Sequence, residues 1–156
     1  TPIRRPVFDL ALRWLADHAP PPATPALVHG DFRNGNLMIG PDGLRAVLDW
    51  ELAHVGDPLE DLGWICVNSW RFGQIDLAVG GFGTLDDLLS GYELISGQAI
   101  DRAAVHWWQV YGTIRWGVIC ASSVAAFRDA DATMERAMIA RRTSETEIDL
   151  LRLIAS

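Results

Sequence analysis

Lysine is missing from this sequence: all 13 basic residues among its 156 are arginine. Chemistry that needs a lysine ammonium has to be supplied from outside these residues or done without. Cysteine is nearly missing as well, and the two that occur, Cys66 and Cys120, are flanked by apolar residues at a spacing that fits no zinc site. They read as reduced core thiols of a cytosolic protein, with a single disulfide as the alternative. Proline disappears after Pro58, which leaves the 98 residues behind it free to form long helices and the front irregular. Long apolar runs are lacking too. The stretch from Ala103 to Ile119 is broken by Gln109 and Arg115, short of the roughly 18 uncharged residues that a membrane span needs, so no transmembrane helix is expected. The opening Thr1-Pro-Ile-Arg-Arg-Pro carries neither an initiator methionine nor a signal-like apolar run, and is expected to be an internal cut in a longer chain.

What is present suits one globular domain, with 49% hydrophobic and 21% charged residues. The net charge is -7, and Asp31, Asp42, Asp49, Glu51, Asp57, Glu60 and Asp61 against Arg33 and Arg45 put -5 of it between residues 31 and 61. A nucleic-acid binder would carry the opposite sign, so no nucleic-acid partner is expected.

The apolar pattern from Phe8 to Leu15 predicts a short helix stopped by Pro20-Pro21-Pro22. Three strand-like runs follow, Ala26–Val28, Asn36–Ile39 and Leu44–Asp49, with Pro41-Asp42-Gly43 as a hairpin turn between the last two. Asp57 is placed to cap a helix with Pro58 in its first turn and Leu59, Leu62, Gly63, Ile65, Cys66 and Ser69 on one face. The glycines from Gly73 to Gly83 predict a flexible loop. Helices are expected from Thr84 to about Ser96, from Asp101 to about Phe127, and from about Thr133 to the C-terminus. The fold class is α+β, mainly α, a short β-hairpin region packed on a helical bundle.

The loop His29-Gly30-Asp31-Phe32-Arg33-Asn34-Gly35-Asn36, followed 13 residues later by Asp49-Trp50-Glu51, carries the chemistry. Asp31 sits after one strand, Asn36 begins the next and Asp49 ends the strand returning along it, so the three can face one point. Such oxygen donors suit magnesium. Asp31 and Asn36, with four residues between them, match the phosphoryl-transfer loop H-R-D-x-x-x-x-N. The His-Gly-Asp form, with Val47-Leu48-Asp49-Trp50-Glu51 and Gly56-Asp57-Pro58-Leu59-Glu60-Asp61-Leu62, resembles the aminoglycoside phosphotransferase and choline kinase-like family. The likeness is greatest to the branch associated with acyl-CoA dehydrogenases.

That resemblance implies the C-terminal lobe of a protein kinase-like fold spanning residues 1–156, with the N-terminal ATP-binding lobe absent. It implies transfer of the γ-phosphoryl group of ATP to a hydroxyl of a small molecule. Asp31 would orient the acceptor hydroxyl and take its proton, Arg33 would lie by the transferred phosphate and ATP, and Asn36 and Asp49 would hold Mg2+ with Glu51 as a further ligand. Asp61 or Asp57 would bond backbone amides of the loop. The acceptor implied is aminoglycoside-like, choline-like or hydroxyacyl-CoA-like, the expected location is cytoplasmic, and the fragment alone is expected to be inactive. Two other readings stand beside this one. A non-catalytic binding or assembly module would self-associate through apolar surface, and a metal-dependent hydrolase would use Asp31, Asp49 and Glu51. His29 is expected to pack the loop rather than catalyse, and His18, His54 and His106 receive no role. The tryptophans read as core, except that Trp107 and Trp108 point about 100° apart on one helix, so one of them is expected to line an acceptor pocket.

Overall fold

In the computed structural model, residues 4–128 and 133–155 are described. The chain divides into two compact units, Thr1–His18 with Val110–Ser156, and Ala19–Gln109.

The first unit is helical. Helix α1 (Pro6–Asp17) begins on a proline, whose missing N–H costs nothing in a first turn, and buries Phe8, Ala11 and Leu15 at helical spacing. It packs on α6 (Thr143–Ile154), which buries Thr143, Thr146 and Leu150. The later part of α4 (Arg102–Arg128) belongs to the same unit, and its Gly117 lets the Phe8 ring and the Thr146 hydroxyl come so close that a Cβ would lie 2.6 and 2.7 Å from them. The single last helix expected from Thr133 is two. Thr133 does cap α5 (Met134–Ala140), accepting from the Arg136 N–H, but the helix ends there. The Thr143 hydroxyl donates to the Ala140 carbonyl at 2.8 Å and Ser144 to that of Arg141 at 3.4 Å. Side-chain hydroxyls thus bond carbonyls at the break, and the chain restarts as α6.

In the second unit, β1 (Ala26–Val28) pairs antiparallel with β4 (His54–Gly56), and β2 (Leu37–Gly40) with β3 (Gly43–Val47). The hairpin expected between β2 and β3 is there, turning at Pro41-Asp42, with a bulge between Met38 and Ile39. Two boundaries differ from expectation. Residues 34–36 form a 3-10 turn ahead of β2, and β3 stops at Val47, so Asp49 lies beyond the strand. Strand β4 was not foreseen, since three residues without alternation give no period to read.

Helix α2 (Leu59–Ile65) is capped as expected, Asp57 Oδ1 accepting from the Leu59 N–H at 2.9 Å. Leu59 and Leu62 form a core with Leu89 of α3 (Leu85–Ser96) and with Ala104 and Val105 of α4. Thr84 caps α3 through the Asp87 N–H, and Asp101 caps α4 through the Ala103 N–H. Ile65, Cys66 and Val79 form a second cluster against Phe32 and Leu37, which seats the loop after β1 on α2. Both cysteines are free thiols, and burial pushes each up to about 11, so they stay protonated near neutrality. Among the described residues no helix is long and apolar enough to cross a membrane.

Backbone of α4 lies against Gly63. A Cβ on Gly63 would sit 2.6 Å from the Trp108 carbonyl carbon and 2.7 Å from the Gln109 nitrogen, atoms that cannot rotate away. Gly63→Ala should therefore lower stability by about 1–3 kcal/mol, read as a lower thermal midpoint despite alanine's better helix propensity. A second prediction concerns β4. The Nδ1–H of His54 donates to the Leu52 carbonyl (3.0 Å) and Nε2–H to Glu60 (3.2 Å), so the protonated ring satisfies both partners. The hydrogen bond to the Leu52 carbonyl is the largest influence and, with Glu60 and Asp61, raises the pKa above the ordinary 6.5 against the opposing effect of burial, which is second in size. The stabilisation is complete below 6.5 and is lost as pH rises through the folded value. An NMR titration of His54 should show a midpoint above 6.5 that Glu60→Gln lowers.

Candidate active site

The loop after β1 is shaped by one glycine and one carboxylate. Gly30 has φ +82°, and a Cβ there would meet the Leu52 carbonyl oxygen at 2.6 Å, so only glycine fits. Asp61 of α2 accepts from the N–H of His29 at 2.7 Å and from that of Gly30 at 2.9 Å. The anchoring expected of Asp61 or Asp57 thus falls to Asp61. Asp57 is engaged by its own helix and by the Trp108 indole N–H at 3.0 Å.

His29, 3% exposed, packs the loop. Its Nε2–H donates to the Leu48 carbonyl (2.8 Å) and its Nδ1 accepts from the Asp31 N–H (3.2 Å), the arrangement of one neutral tautomer. Trp50 meets the ring edge-on, with centroids 4.6 Å apart.

Asp31 is the centre of the cluster. Its Oδ1 accepts from the Trp64 indole N–H at 2.8 Å, its Oδ2 from Asn36 Nδ2 at 2.8 Å, and the Nε–H of Arg33 lies 3.1 Å from both oxygens. Arg33 is therefore not a solvated surface arginine. Its guanidinium is held against Asp31 and lies over the Trp70 ring, 5.2 Å from the centroid.

Asn36 is buried, and its amide nitrogen also donates to the Asp31 carbonyl at 2.9 Å. With both bonds made by Nδ2, the Oδ1 is left to accept. The Leu48 N–H donates to the Asn36 carbonyl at 2.8 Å, which ties the start of β2 to the residue preceding Asp49. Asp49 adopts φ 67° and ψ 60°, a left-handed conformation that costs a non-glycine residue about 1–2 kcal/mol. Strain of this kind gathers at functional sites. Its exposed carboxylate makes no hydrogen bond or ion pair among the described residues. A buried amide with a free oxygen, and an unengaged carboxylate one residue beyond the backbone bond from Leu48 to Asn36, suit a small hard cation such as magnesium, which takes few protein oxygens. Glu51 is also exposed, in the 3-10 turn that follows Asp49. Among the described residues no three histidine, cysteine or carboxylate side chains gather into a metal-holding group, so Asp31, Asp49 and Glu51 do not form the triad that a hydrolase would need.

Two participants escaped the sequence reading. Trp64 lies three residues after Asp61 on α2, on the same helical face, and that spacing was the available signal. Asn34 Nδ2 donates to the carbonyls of Gly80 (3.0 Å) and Trp70 (3.3 Å), while its Oδ1 is buried without a partner among the described residues. The glycine segment expected to be a flexible loop is thereby a packed turn. The Gly80 N–H bonds the Ile65 carbonyl, and a Cβ on Gly81 would lie 2.3 Å from the Arg71 carbonyl oxygen.

A largely apolar cavity of about 480 Å³, lined by Leu27, Phe32, Asp61, Leu88 and Tyr92 among others, opens beside the loop. Trp107 and Trp108 both line a different cavity of about 410 Å³ against Pro20, Pro21 and Val55, which shares no residue with the Asp31 cluster.

Comparison with known proteins bears on this arrangement. The profile of the phosphotransferase enzyme family matches residues 1–97. The sequence is 42% identical over 64 residues to acyl-CoA dehydrogenase family member 10 of Mus musculus, covering 40% of this chain and 6% of that protein. It is 45% identical over 62 residues to family member 11 of Gallus gallus, covering 38% of this chain and 8% of the relative. A solved structure from Ralstonia eutropha, described as a "putative aminoglycoside phosphotransferase", superposes with a TM-score of 0.75 at 24% identity. The superposition covers 98% of this chain and 50% of that one. The chain thus spans half of the solved structure and less than a tenth of these curated relatives, and its fold is the kinase-like fold of the aminoglycoside phosphotransferases.

The Asp61 clamp predicts a specific weakness. Asp61→Asn replaces one acceptor oxygen by an amide donor facing a backbone N–H, and should lower stability by about 1–3 kcal/mol in denaturant titration. Hydrogen exchange at the His29 and Gly30 amides should accelerate with it.

Proposed function

The chain belongs to the phosphotransferase enzyme family, and on that premise we propose that it transfers the γ-phosphoryl group of ATP to a hydroxyl of a small molecule. One observation carries the reading: Asp31 is surrounded by donors, while the Asn36 Oδ1 and, one residue beyond the Leu48 N–H that bonds the Asn36 carbonyl, the Asp49 carboxylate are left open. In this mechanism Asp31 accepts a hydrogen bond from the acceptor hydroxyl, points its oxygen at the γ-phosphorus and takes the proton as the new P–O bond forms and the bond from the γ-phosphorus to the departing ADP breaks. Asn36 and Asp49 hold magnesium, with Glu51 able to bind a second ion or a substrate group. Bound there, magnesium neutralises charge on the phosphate oxygens. Arg33, a planar and permanently charged donor, turns from Asp31 to the phosphoryl group in transit. His29 and Asp61 keep the loop in shape.

The phosphate-clamping lysine and the glycine-rich cover of kinase-like enzymes have no counterpart in this lysine-free sequence. The residues therefore act as the C-terminal lobe of a phosphotransferase, with the ATP-binding lobe supplied outside them. The solved relative, twice as long, supports this division. For the acceptor, the names of the curated relatives favour a hydroxyacyl thioester over an aminoglycoside or choline, and the apolar cavity beside Phe32 offers room for an acyl portion. Free thiols at Cys66 and Cys120 fit a reducing cytoplasm. A second reading, an assembly module, is favoured by the exposed cross-strand pair Leu27 and Val55, 66% and 75% accessible; it requires mass to rise with concentration in sedimentation, and a monomer throughout excludes it.

The test is a screen of hydroxyl acceptors for magnesium-dependent ATP consumption by these residues joined to an ATP-binding lobe. Asp31→Asn should lower kcat by about 10²–10⁴-fold with folding retained, and Asp49→Asn should abolish the magnesium dependence along with turnover. The 156 residues alone should show little or no transfer. Undiminished turnover in Asp31→Asn contradicts the mechanism, and phosphorylation of an acceptor by the 156 residues alone contradicts the division of labour.

A further inference from the structure

One contact to Asp31 comes from outside the loop and metal segments. The Trp64 indole is 3% exposed, and its only polar atom, Nε1–H, donates to Asp31 Oδ1 at 2.8 Å. Trp64 also packs on Trp70, with ring centroids 5.2 Å apart and planes inclined by 56°. Trp70 in turn lies beneath the Arg33 guanidinium, which bonds Asp31. Asp31, Arg33, Trp70 and Trp64 thus close a ring of four side chains, each touching the next.

An aspartate carboxylate rotates freely about its last torsion, since the two-fold minimum there is broad. Donors on both oxygens are needed to set its plane. Arg33 does not discriminate, because its one Nε–H lies 3.1 Å from each oxygen. Asn36 holds Oδ2 and Trp64 holds Oδ1. Indole suits this duty, being a donor with no acceptor capacity and no proton to lose near neutrality. In a buried site the bond to a charged acceptor is also stronger than in water.

We propose that Trp64 is a positioning residue for Asp31: its indole N–H fixes Oδ1, so that the carboxylate plane survives when Arg33 leaves it. Trp70 supports the indole from behind and gives the guanidinium a resting place. This rests on the phosphotransfer reading only for its consequence in catalysis; the hydrogen bond itself can be observed without turnover.

The experiment has two arms. In ¹⁵N-indole NMR of the protein, the Trp64 Nε1–H proton should resonate at low field. In Asp31→Ala it should move upfield and exchange with solvent about tenfold faster or more, while the Trp107 and Trp116 indole signals stay in place. In the lobe-completed enzyme with Mg-ATP and whichever acceptor turns over, Trp64→Phe should lower kcat by about 10- to 100-fold, with the KM for ATP changed by less than about threefold. A role in packing alone would lower the thermal midpoint of Trp64→Phe and leave both the indole response and the kcat of the folded variant at wild-type values; that result overturns the proposal. If Trp64→Phe does not fold, the indole response to Asp31→Ala decides. An enzyme with no activity on any acceptor removes the phosphotransfer reading, and the indole response still shows whether Trp64 holds Asp31.

Discussion

A single carboxylate on α2 accepting two consecutive amides of the loop after β1 is the contact on which the rest of the site depends. Asp61 reaches 32 residues back along the sequence to His29 and turns the loop so that Gly30 lies against the Leu52 carbonyl. The next side chain, Asp31, is thereby aimed inward at Trp64, three residues along the same helix. Helix and loop are coupled at two points, one through backbone and one through the Asp31 carboxylate. Neither would be in place if α2 were not itself fixed by its Asp57 cap and by the close approach of Gly63 to α4.

The site divides into a rigid part and an available part. The rigid part is His29 in one tautomer, Asn34 spanning to the glycine turn, and Asn36 with its amide nitrogen committed to Asp31. The available part is the Asn36 Oδ1, the strained Asp49 and, at the edge, Glu51. Preorganised donors around a charge, with open oxygens beside it, are what transfer of a phosphoryl group requires, since that reaction needs positioning and charge neutralisation more than covalent participation.

The sequence made the chemistry legible because its signal is local. Asp31 and Asn36 stand five positions apart, and Asp49 follows in a hairpin whose turn is written in Pro41-Asp42-Gly43. The helix caps at Thr84, Asp101 and Thr133 were equally readable, each being a polar side chain a few residues from the N–H it accepts. What escaped was non-local or unpatterned. The bond from Trp64 to Asp31 spans 33 residues, β4 is too short to show alternation, and the break at Arg141–Arg142 depends on hydroxyl bonds to carbonyls that a helical pattern does not reveal. Asp49 reads as the end of a strand because the strand-like run from Leu44 leads straight into it, but the left-handed turn that carries it out of β3 is a tertiary choice against propensity. The lack of lysine gains meaning here too: the positive charge held against Asp31 is the guanidinium of Arg33.

The most direct measurement of the central claim, that the loop after β1 and the turn after β3 together supply the proposed base and cation ligands, is a titration with manganese and ATP followed by NMR. Paramagnetic broadening should be selective for the resonances of Asp31, Asn36 and Asp49 and should vanish in Asp49→Asn. Broadening spread evenly over exposed carboxylates such as Asp42, Asp86 and Glu145, with none preferred at Asn36 and Asp49, would contradict the account.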